Sequence, residues 1–336
     1  MRGTIPIGKL PEEFLRKHVI PYLGYRRRDV VLWPSFGEDA GAVKMSKNTY
    51  IFSTDPITGS KSLVGWLAVH ASANDVAVCG GEPRWFSSTV LMPVGSHPSD
   101  VSRVVKQIHR ACKQLKVSVV TGHTEIAPTV SETVIVGHMV GVLVAKRLIT
   151  SAGAKPGDHI VMVKSPGLEG SAILATDFSE HLLRKGVSRH TVLVARNFVR
   201  EISVVGEALV YAKAGVSAMH DPTEGGLLGG LYEVAKASGA GFEVDRGKIP
   251  VNKAVSEICD RLELDPLKLI SSGSLIAVVK HVNPKILRRT GGYVIGKITP
   301  KKRGMKIYSE DGVEKVRGPV HDELWRFLTE HGREKL

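Results

Sequence analysis

Four aspartates stand where a carboxylate could do metal or phosphate chemistry. Asp55 ends one β-prone run, and Asp221 follows another. Asp39 lies in a glycine-flanked turn, and Asp75 lies in a helical run that is otherwise apolar. A buried carboxylate is unfavourable unless it is paired or bound to a cation, and Mg²⁺ prefers a few carboxylates together with phosphate oxygens and water. Carboxylates that converge from several elements therefore indicate a metal-bound nucleotide.

Each of these residues, taken singly, also has a purely structural interpretation. Asp39 could cap a turn, Asp55 could cap a helix, and Asp75 could accept backbone N–H groups. The glycines behind Asp221 and in the segment 167–170 could be turn glycines, although between a strand and a helix they also expose N–H groups to phosphate. The sequence contains neither a complete Walker motif nor GxGxxG, which excludes P-loop and Rossmann sites.

Strands and helices alternate in both halves of the chain, which predicts an α/β (α+β) fold. Strands are predicted at 50–55, at 85–91, at 117–120 as a short buried strand ending before His123, and at 133–145, 159–164, 216–219, 274–279 and 293–298. Helices are predicted from Pro11, and at 60–78, 99–115, 192–214, 231–238 and 284–289. A turn-rich segment at 151–158 predicts two domains, 1–150 and 151–336.

Composition narrows the class of protein. A chain of 336 residues with 43% hydrophobic and 24% charged residues is globular rather than disordered. It shows no signal-peptide core or transmembrane run, so we expect a cytoplasmic location. The net charge is +13, but the basic runs at 26–28, 288–289 and 301–303 lack interleaved aromatics, which favours solvated faces over a nucleic-acid groove. Three scattered cysteines are expected to be buried thiols.

Six motifs, in order, resemble the PurM/HypE superfamily over nearly the whole chain. They are GEDAGAV (37–43), STDPI (53–57), ANDVAVCGGEPRW (73–85), TGHTE (121–125), SPGLEG (165–170) and DPTEGGL (221–227). The resemblance is strongest to the hydrogenase-maturation carbamoyl dehydratases. It implies a two-domain PurM-like fold and a homodimer in which paired N-terminal sheets close into a barrel. ATP and Mg²⁺ would lie between the N-terminal domain and the C-terminal α/β domain.

The resemblance also implies roles for matching positions. The metal and phosphate carboxylates would be Asp39, Asp55, Asp75 and Asp221. The nucleotide pocket would be lined by Asn74, Gly122, Thr124, Gly167, Gly170, Thr223, Gly225 and Gly226. The terminal phosphate of ATP would activate an oxygen or pass to an acceptor, a chemistry that rests on positioning and on neutralising phosphate charge.

Several positions depart from the dehydratase pattern. His123 replaces the acid of a TGDT motif and Glu125 lies near an expected lysine; these two are the candidate catalytic residues. Glu224 replaces the arginine of D-x-T-R-GG, and Ser272 lies where an acid and a lysine are expected. The dehydratases end in a cysteine that carries the carbamoyl group, whereas the last cysteine here is Cys259. We therefore expect that this chain does not replace a carbamoyl dehydratase.

Two hypotheses follow from these matches and departures. The first is an ATP- and Mg²⁺-dependent paralogue of the dehydratases that acts on an unidentified small-molecule or protein acceptor. The alternative is a non-catalytic nucleotide-binding scaffold or accessory protein related to hydrogenase maturation. The retained carboxylates favour the enzyme, and the lost lysine and arginine favour the scaffold.

Overall fold

Two mixed β-sheets organise the computed structural model, which describes residues 8–331. The first contains β1 (Val30–Leu32), β2 (Gly41–Met45), β3 (Asn48–Ile57), β4 (Gly81–Met92), β5 (Ser118–Ile126) and β6 (Val134–Leu143), in the order β1-β2-β3-β6-β4-β5. The second contains β7 (His159–Val163), β8 (Ala218–His220), β9 (Ala240–Asp245), β10 (Leu275–Val279), β11 (Gly292–Pro300), β12 (Met305–Ser309) and β13 (Gly312–Lys315). Its order is β13-β12-β9-β11-β7-β10-β8. The predicted α/β class is confirmed.

Helices cover the sheets and fill the space between them. They are α1 (Glu12–His18), α2 (Val64–Val78), α3 (Pro98–Leu115), α4 (Leu168–Asp177), α5 (Ser179–Arg184), α6 (Arg189–Asn197), α7 (Val205–Ala214), α8 (Gly226–Ala237), α9 (Lys253–Leu262), α10 (Pro284–Thr290) and α11 (Glu323–His331). Within the described range, no helix combines the length and the apolarity needed to cross a bilayer. The predicted domain boundary at 150/151 falls between β6 and β7 and stays a prediction. The C-terminal segment 332–336 lies outside the described residues.

Helix α2 is the central element of the molecule. It contacts β3, β6, α3 and α7, and nearly every one of its residues is buried. A helix that is apolar on all sides is expected in such a position. The predicted start at Ser60 is wrong, because Ser60 Oγ and Lys61 N–H both donate to Asp177 Oδ2, at 3.0 and 2.9 Å, and hold the chain in a turn until Val64.

The predicted continuous helix over 192–214 is also wrong. The chain forms α6, a 3₁₀ turn over Phe198–Glu201, and then α7. The reason is a buried side chain from the other half of the molecule: Asn74 Nδ2 donates to the carbonyl of Ile202, and Val204 N–H donates to Asn74 Oδ1, both at 2.9 Å. These bonds replace helical ones at the break.

Two strands of the first sheet differ from prediction. β3 continues through Pro56, where a stop was expected, because β2 pairs only with residues 48–52 and leaves that edge of β3 open at the proline. The predicted buried strand at 117–120 is instead the first part of β5, which runs to Ile126 and is exposed along its length. Among residues 8–331, β5 is the outer strand of the sheet and pairs only with β4, in parallel, so its second edge is open there.

Candidate functional site

Three of the predicted carboxylates converge from three separate elements. Asp39 lies just before β2, Asp75 lies in α2, and Asp221 follows β8 directly. One ligand oxygen from each lies within 4.8 Å of the others, and we call this group the carboxylate triad. Local sequence explains the placement: Gly37, with a φ of 80°, permits the turn before Asp39, and β8 ends at His220. The triad therefore joins residues that are up to 182 positions apart along the chain.

The carboxylate of Asp221 has no hydrogen-bond partner within residues 8–331, although only 1% of the residue is exposed. Burial, with the negative charge of Asp39 adding to it, raises the pKa of Asp221 well above its usual value. The ionised form of such a group requires a counter-charge. A donor set made only of carboxylate oxygens suits a hard cation such as Mg²⁺. The residues present therefore fit a divalent cation.

Asp75 is buried under the same constraint. Its carboxylate accepts a hydrogen bond from the hydroxyl of Ser53 on β3. Burial and the neighbouring charges of Asp221, Asp55 and Asp39 raise the pKa of Asp75 well above its usual value, and the bond from Ser53 only partly opposes this. In Asp221 and Asp75, the nearby positive charge is thus too small to offset the effect of burial on the pKa.

Asp55, the fourth predicted carboxylate, lies beside the triad rather than in it. It lines a cavity of about 380 Å³ with Glu169, Thr223 and Ser272. Burial raises the pKa of Asp55 to about 6, although the positive charge of Lys9 opposes the shift. Burial also raises the pKa of Glu169 to about 7, and Ser272 N–H donates to its carboxylate at 3.2 Å. The cavity is therefore acidic, and its carboxyl groups can change protonation near neutral pH.

His220 was missed by sequence reasoning. Its Nδ1 lies 2.6 Å from Asp39 Oδ1 and its Nε2 lies 2.8 Å from Glu233 Oε2. Burial lowers the pKa of His220, but Asp39 and Glu233 outweigh this and hold the pKa well above its usual value. A charged imidazole thus orients a triad member. Its position directly before the DPTEGG motif was an available signal, but nothing in the sequence pattern marks Glu233.

Two of the predicted nucleotide-lining glycines, Gly167 and Gly170, are packed tightly against neighbouring side chains. Gly167 N–H donates to Ser271 Oγ at 2.7 Å, and Gly170 N–H donates to the carbonyl of Ile270 at 3.1 Å. A Cβ at Gly170 would lie 2.4 Å from the side chain of Leu269. In the described structure these two N–H groups are bonded within the protein, and the glycines allow α4 to approach the segment 269–271.

The DPTEGG segment also differs from its predicted form. The helix predicted at 231–238 begins earlier than expected, because α8 starts at Gly226. Gly225 N–H donates to Asp322 Oδ2 at 2.7 Å, and a Cβ at Gly226 would lie 2.6 Å from the carbonyl oxygen of Leu267. Thr223 lines the 380 Å³ cavity. Of this segment, Asp221 thus belongs to the triad, and Thr223 and Glu224 line the cavity beside it.

The TGHTE motif lies elsewhere. Gly122 and Thr124 line a second cavity of about 590 Å³ between β5 and α3. His123 Nε2 lies 3.1 Å from Glu125 Oε2, and both side chains are at least half exposed. In the structure as described, the four residues 122–125 contribute neither to the triad nor to the 380 Å³ cavity. The expectation that they follow a strand is wrong, because they are part of β5.

Two family models match the chain. The N-terminal domain of AIR synthase related protein matches residues 37–143, and the C-terminal domain of AIR synthase related protein matches residues 155–308. The first match contains Asp39 and Asp75, and the second contains Asp221. The triad is therefore assembled from both matched segments.

Curated relatives and solved structures agree with these matches. A putative hydrogenase expression/formation protein of Methanocaldococcus jannaschii is 27% identical and covers 95% of this chain and 96% of its own length. The carbamoyl dehydratase HypE of Cupriavidus necator is 31% identical, over 73% of this chain and 67% of its own. A solved structure of the hydrogenase maturation protein HypE in complex with ATP covers 93% of both chains at 23% identity, with a TM-score of 0.69. The expected PurM-like fold is confirmed.

Proposed function

The chain belongs to the AIR synthase related protein family, in the PurM/HypE superfamily, and on that premise we propose that it is an ATP- and Mg²⁺-dependent enzyme. It would activate an acceptor through the terminal phosphate of ATP. The observation that carries the proposal is the unpartnered, buried carboxylate of Asp221 within the triad. The ATP complex of the solved relative supports the choice of nucleotide.

In this proposal, residues of the protein hold a cation next to the nucleotide phosphate. Asp39, Asp75 and Asp221 would hold Mg²⁺, which when bound neutralises phosphate charge and orients the phosphate. His220 fixes the carboxylate of Asp39 from behind, and burial of α2 fixes Asp75. Because the carboxylates are preorganised and largely shielded from water, their charges act strongly on a bound phosphate.

The 380 Å³ cavity is the proposed reaction space. The nucleotide phosphates and the acceptor would meet beside Asp55, Glu169 and Thr223. The carboxyl group of Glu169, with a pKa of about 7, is suited to holding or releasing a proton at neutral pH. We keep His123 and Glu125 as proposed catalytic residues and Gly122 and Thr124 as proposed nucleotide-binding residues. All four lie on β5, the strand through which the homodimer proposed below would form.

We also propose that the enzyme is a homodimer formed through the first sheet. The outer edge of β5 has no strand partner among the described residues, and Val119 and Val120 on it are 52% and 58% exposed. An open edge with exposed apolar side chains is a template for pairing. Pairing of two copies would cover β5 and close the sheets into the expected barrel.

The three cysteines do not identify the acceptor on which the enzyme would act. Curated relatives are named carbamoyl dehydratases. Cys79, Cys112 and Cys259 are all buried, as expected from the sequence, and burial raises the pKa of each thiol, to about 11 for Cys112. Since a thiolate is the nucleophilic form, these three residues are poor carriers. We propose dehydration or phosphoryl transfer on an unidentified small-molecule or protein acceptor, in the cytoplasm.

The alternative is a non-catalytic nucleotide-binding scaffold or an accessory protein related to hydrogenase maturation. The replacement of the expected arginine by Glu224 favours it. Calorimetry with ATP, with and without Mg²⁺, tests binding, and consumption of ATP in the presence of a metabolite pool tests turnover by either dehydration or phosphoryl transfer. Mg²⁺-dependent binding with turnover supports the enzyme, and binding without turnover supports the scaffold. Absence of both heat and thermal stabilisation would overturn nucleotide binding altogether.

A further inference from the structure

Residues 8 and 9 lie on the wall between two cavities. Both line the 380 Å³ cavity beside Asp55, and both also line a cavity of about 360 Å³ next to Tyr232. Glu224 and Trp325 share this position. The segment therefore separates the proposed reaction space from a neighbouring space of similar volume.

The backbone of this segment is fixed by Glu224. Lys9 N–H donates to Glu224 Oε2 at 2.8 Å. Gly8 has a φ of 105°, and a Cβ there would lie 3.0 Å from the same oxygen. Only a residue without a side chain passes this point without strain. Glu224 thus fixes the position of the backbone at residue 9.

The side chain of Lys9 is held much less firmly than its backbone. Its Nζ lies 3.5 Å from Glu233 Oε1, a long contact, and the side chain is 50% exposed. Glu233 already pairs with His220 Nε2 at 2.8 Å. Through His220 the ammonium group is therefore linked to Asp39, yet it keeps the freedom to move to another anion.

The electrostatic surroundings agree with this geometry. Desolvation lowers the pKa of Lys9, but Glu233, Asp39, Glu224 and Asp55 outweigh it, so that the pKa is raised and the ammonium stays charged. Lys9 thus brings a positive charge close to these carboxylates. An anion held at the triad by a divalent cation would lie among the same charges.

We propose that Lys9 supplies the ammonium group that contacts the phosphate end of the nucleotide, and that Glu224 positions it by holding the backbone of residue 9. This inference rests on the proposed function and names a residue that the motifs did not mark. It explains why an acid is tolerated at 224, where an arginine was expected: the positive charge comes from the residue that the acid anchors.

Affinity for nucleotides of different phosphate number tests the role of Lys9. ATP, ADP and AMP are titrated calorimetrically, with Mg²⁺, into the wild type, Lys9→Met and the control Lys47→Met, which removes an exposed lysine between β2 and β3. Since a charge-assisted contact is lost, Lys9→Met should weaken ATP binding roughly tenfold, while AMP binding stays within about twofold. Lys47→Met should behave as the wild type.

Two further variants separate contact from structure. Lys9→Arg should retain ATP affinity, and Glu224→Arg placed in the Lys9→Met background should recover part of it by restoring a cation at the neighbouring position. The melting temperature without nucleotide reports any effect on folding. Equal or tighter ATP binding by Lys9→Met would overturn the role of Lys9 alone, whereas a wild type that binds no nucleotide would overturn the proposed function itself.

Discussion

Nδ1 of His220 lies 2.6 Å from Oδ1 of Asp39, and this pair joins a residue of the second sheet to a residue that precedes β2 of the first. The ring is buried and its other nitrogen faces Glu233. His220 is thus a positive charge between two carboxylates, placed one residue before Asp221. Within the triad, Asp39 has the charged ring of His220 as its ion-pair partner.

Replacement of His220 by alanine should therefore be strongly destabilising. Removal of the ring leaves Asp39 and Glu233 buried without their shared partner, and loss of one member of a buried ion pair costs about 3–5 kcal/mol. Urea unfolding measures the free energy, with His190→Ala, an exposed position on α6, as the matched control. A difference of less than about 1 kcal/mol between the two variants would contradict the assigned role.

Asp221→Asn should have opposite effects with and without divalent cation. Because the folded-state pKa of Asp221 is raised, its ionised form destabilises the fold increasingly as pH rises. Without Mg²⁺, the variant should be more stable than the wild type at pH 8, by about 1–3 kcal/mol. This gain in the free energy of unfolding should be smaller at pH 5. The stabilisation that Mg²⁺ and ATP give the wild type should disappear. Unchanged stabilisation by Mg²⁺ and ATP would remove Asp221 from the metal site.

The lowered pKa of His70 predicts that its contribution to the free energy of unfolding changes with pH in the direction opposite to that of Asp221. Burial lowers its pKa to about 4, and neither ring nitrogen has a hydrogen-bond partner within residues 8–331. The unfolded chain, with a histidine pKa of about 6.5, binds the proton more readily, so stability should fall as pH drops from about 6.5 to 4. Unfolding curves of His70→Phe should show a slope smaller by up to about 1.4 kcal/mol per pH unit. Parallel profiles would show that His70 is not the titrating group.

The homodimer predicts that a charge on β5 disrupts assembly. Light scattering of the wild type should give about twice the chain mass of 36.3 kDa. Val120→Asp should give the monomer mass, because an unpaired carboxylate would be buried in the new interface. Val313→Asp, on the similarly exposed β13, should leave the mass unchanged. A monomeric wild type at micromolar concentration would rule out this assembly.

The triad was predictable because each member carries a local mark. Asp39 has flanking glycines, Asp75 has an apolar helix around it, and Asp221 follows a strand. Lys9 and Glu233 carry no such mark, since tertiary packing alone brings them to the site. The exposure of β5 was not predictable either, because a run such as Val117–Val120 suits a buried strand and an interface strand equally well.

The continuous helix over 192–214 was wrongly predicted for the same reason, and the break at residues 202–204 has a mechanical consequence. Asn74 holds both sides of the break with two buried hydrogen bonds, and the next residue along α2 is Asp75. A shift of α2 along its axis would therefore strain a triad member and the 202–204 segment together. Because α2 belongs to the first half of the chain and residues 202–204 belong to the second, these two bonds tie the position of Asp75 to the packing of the second half.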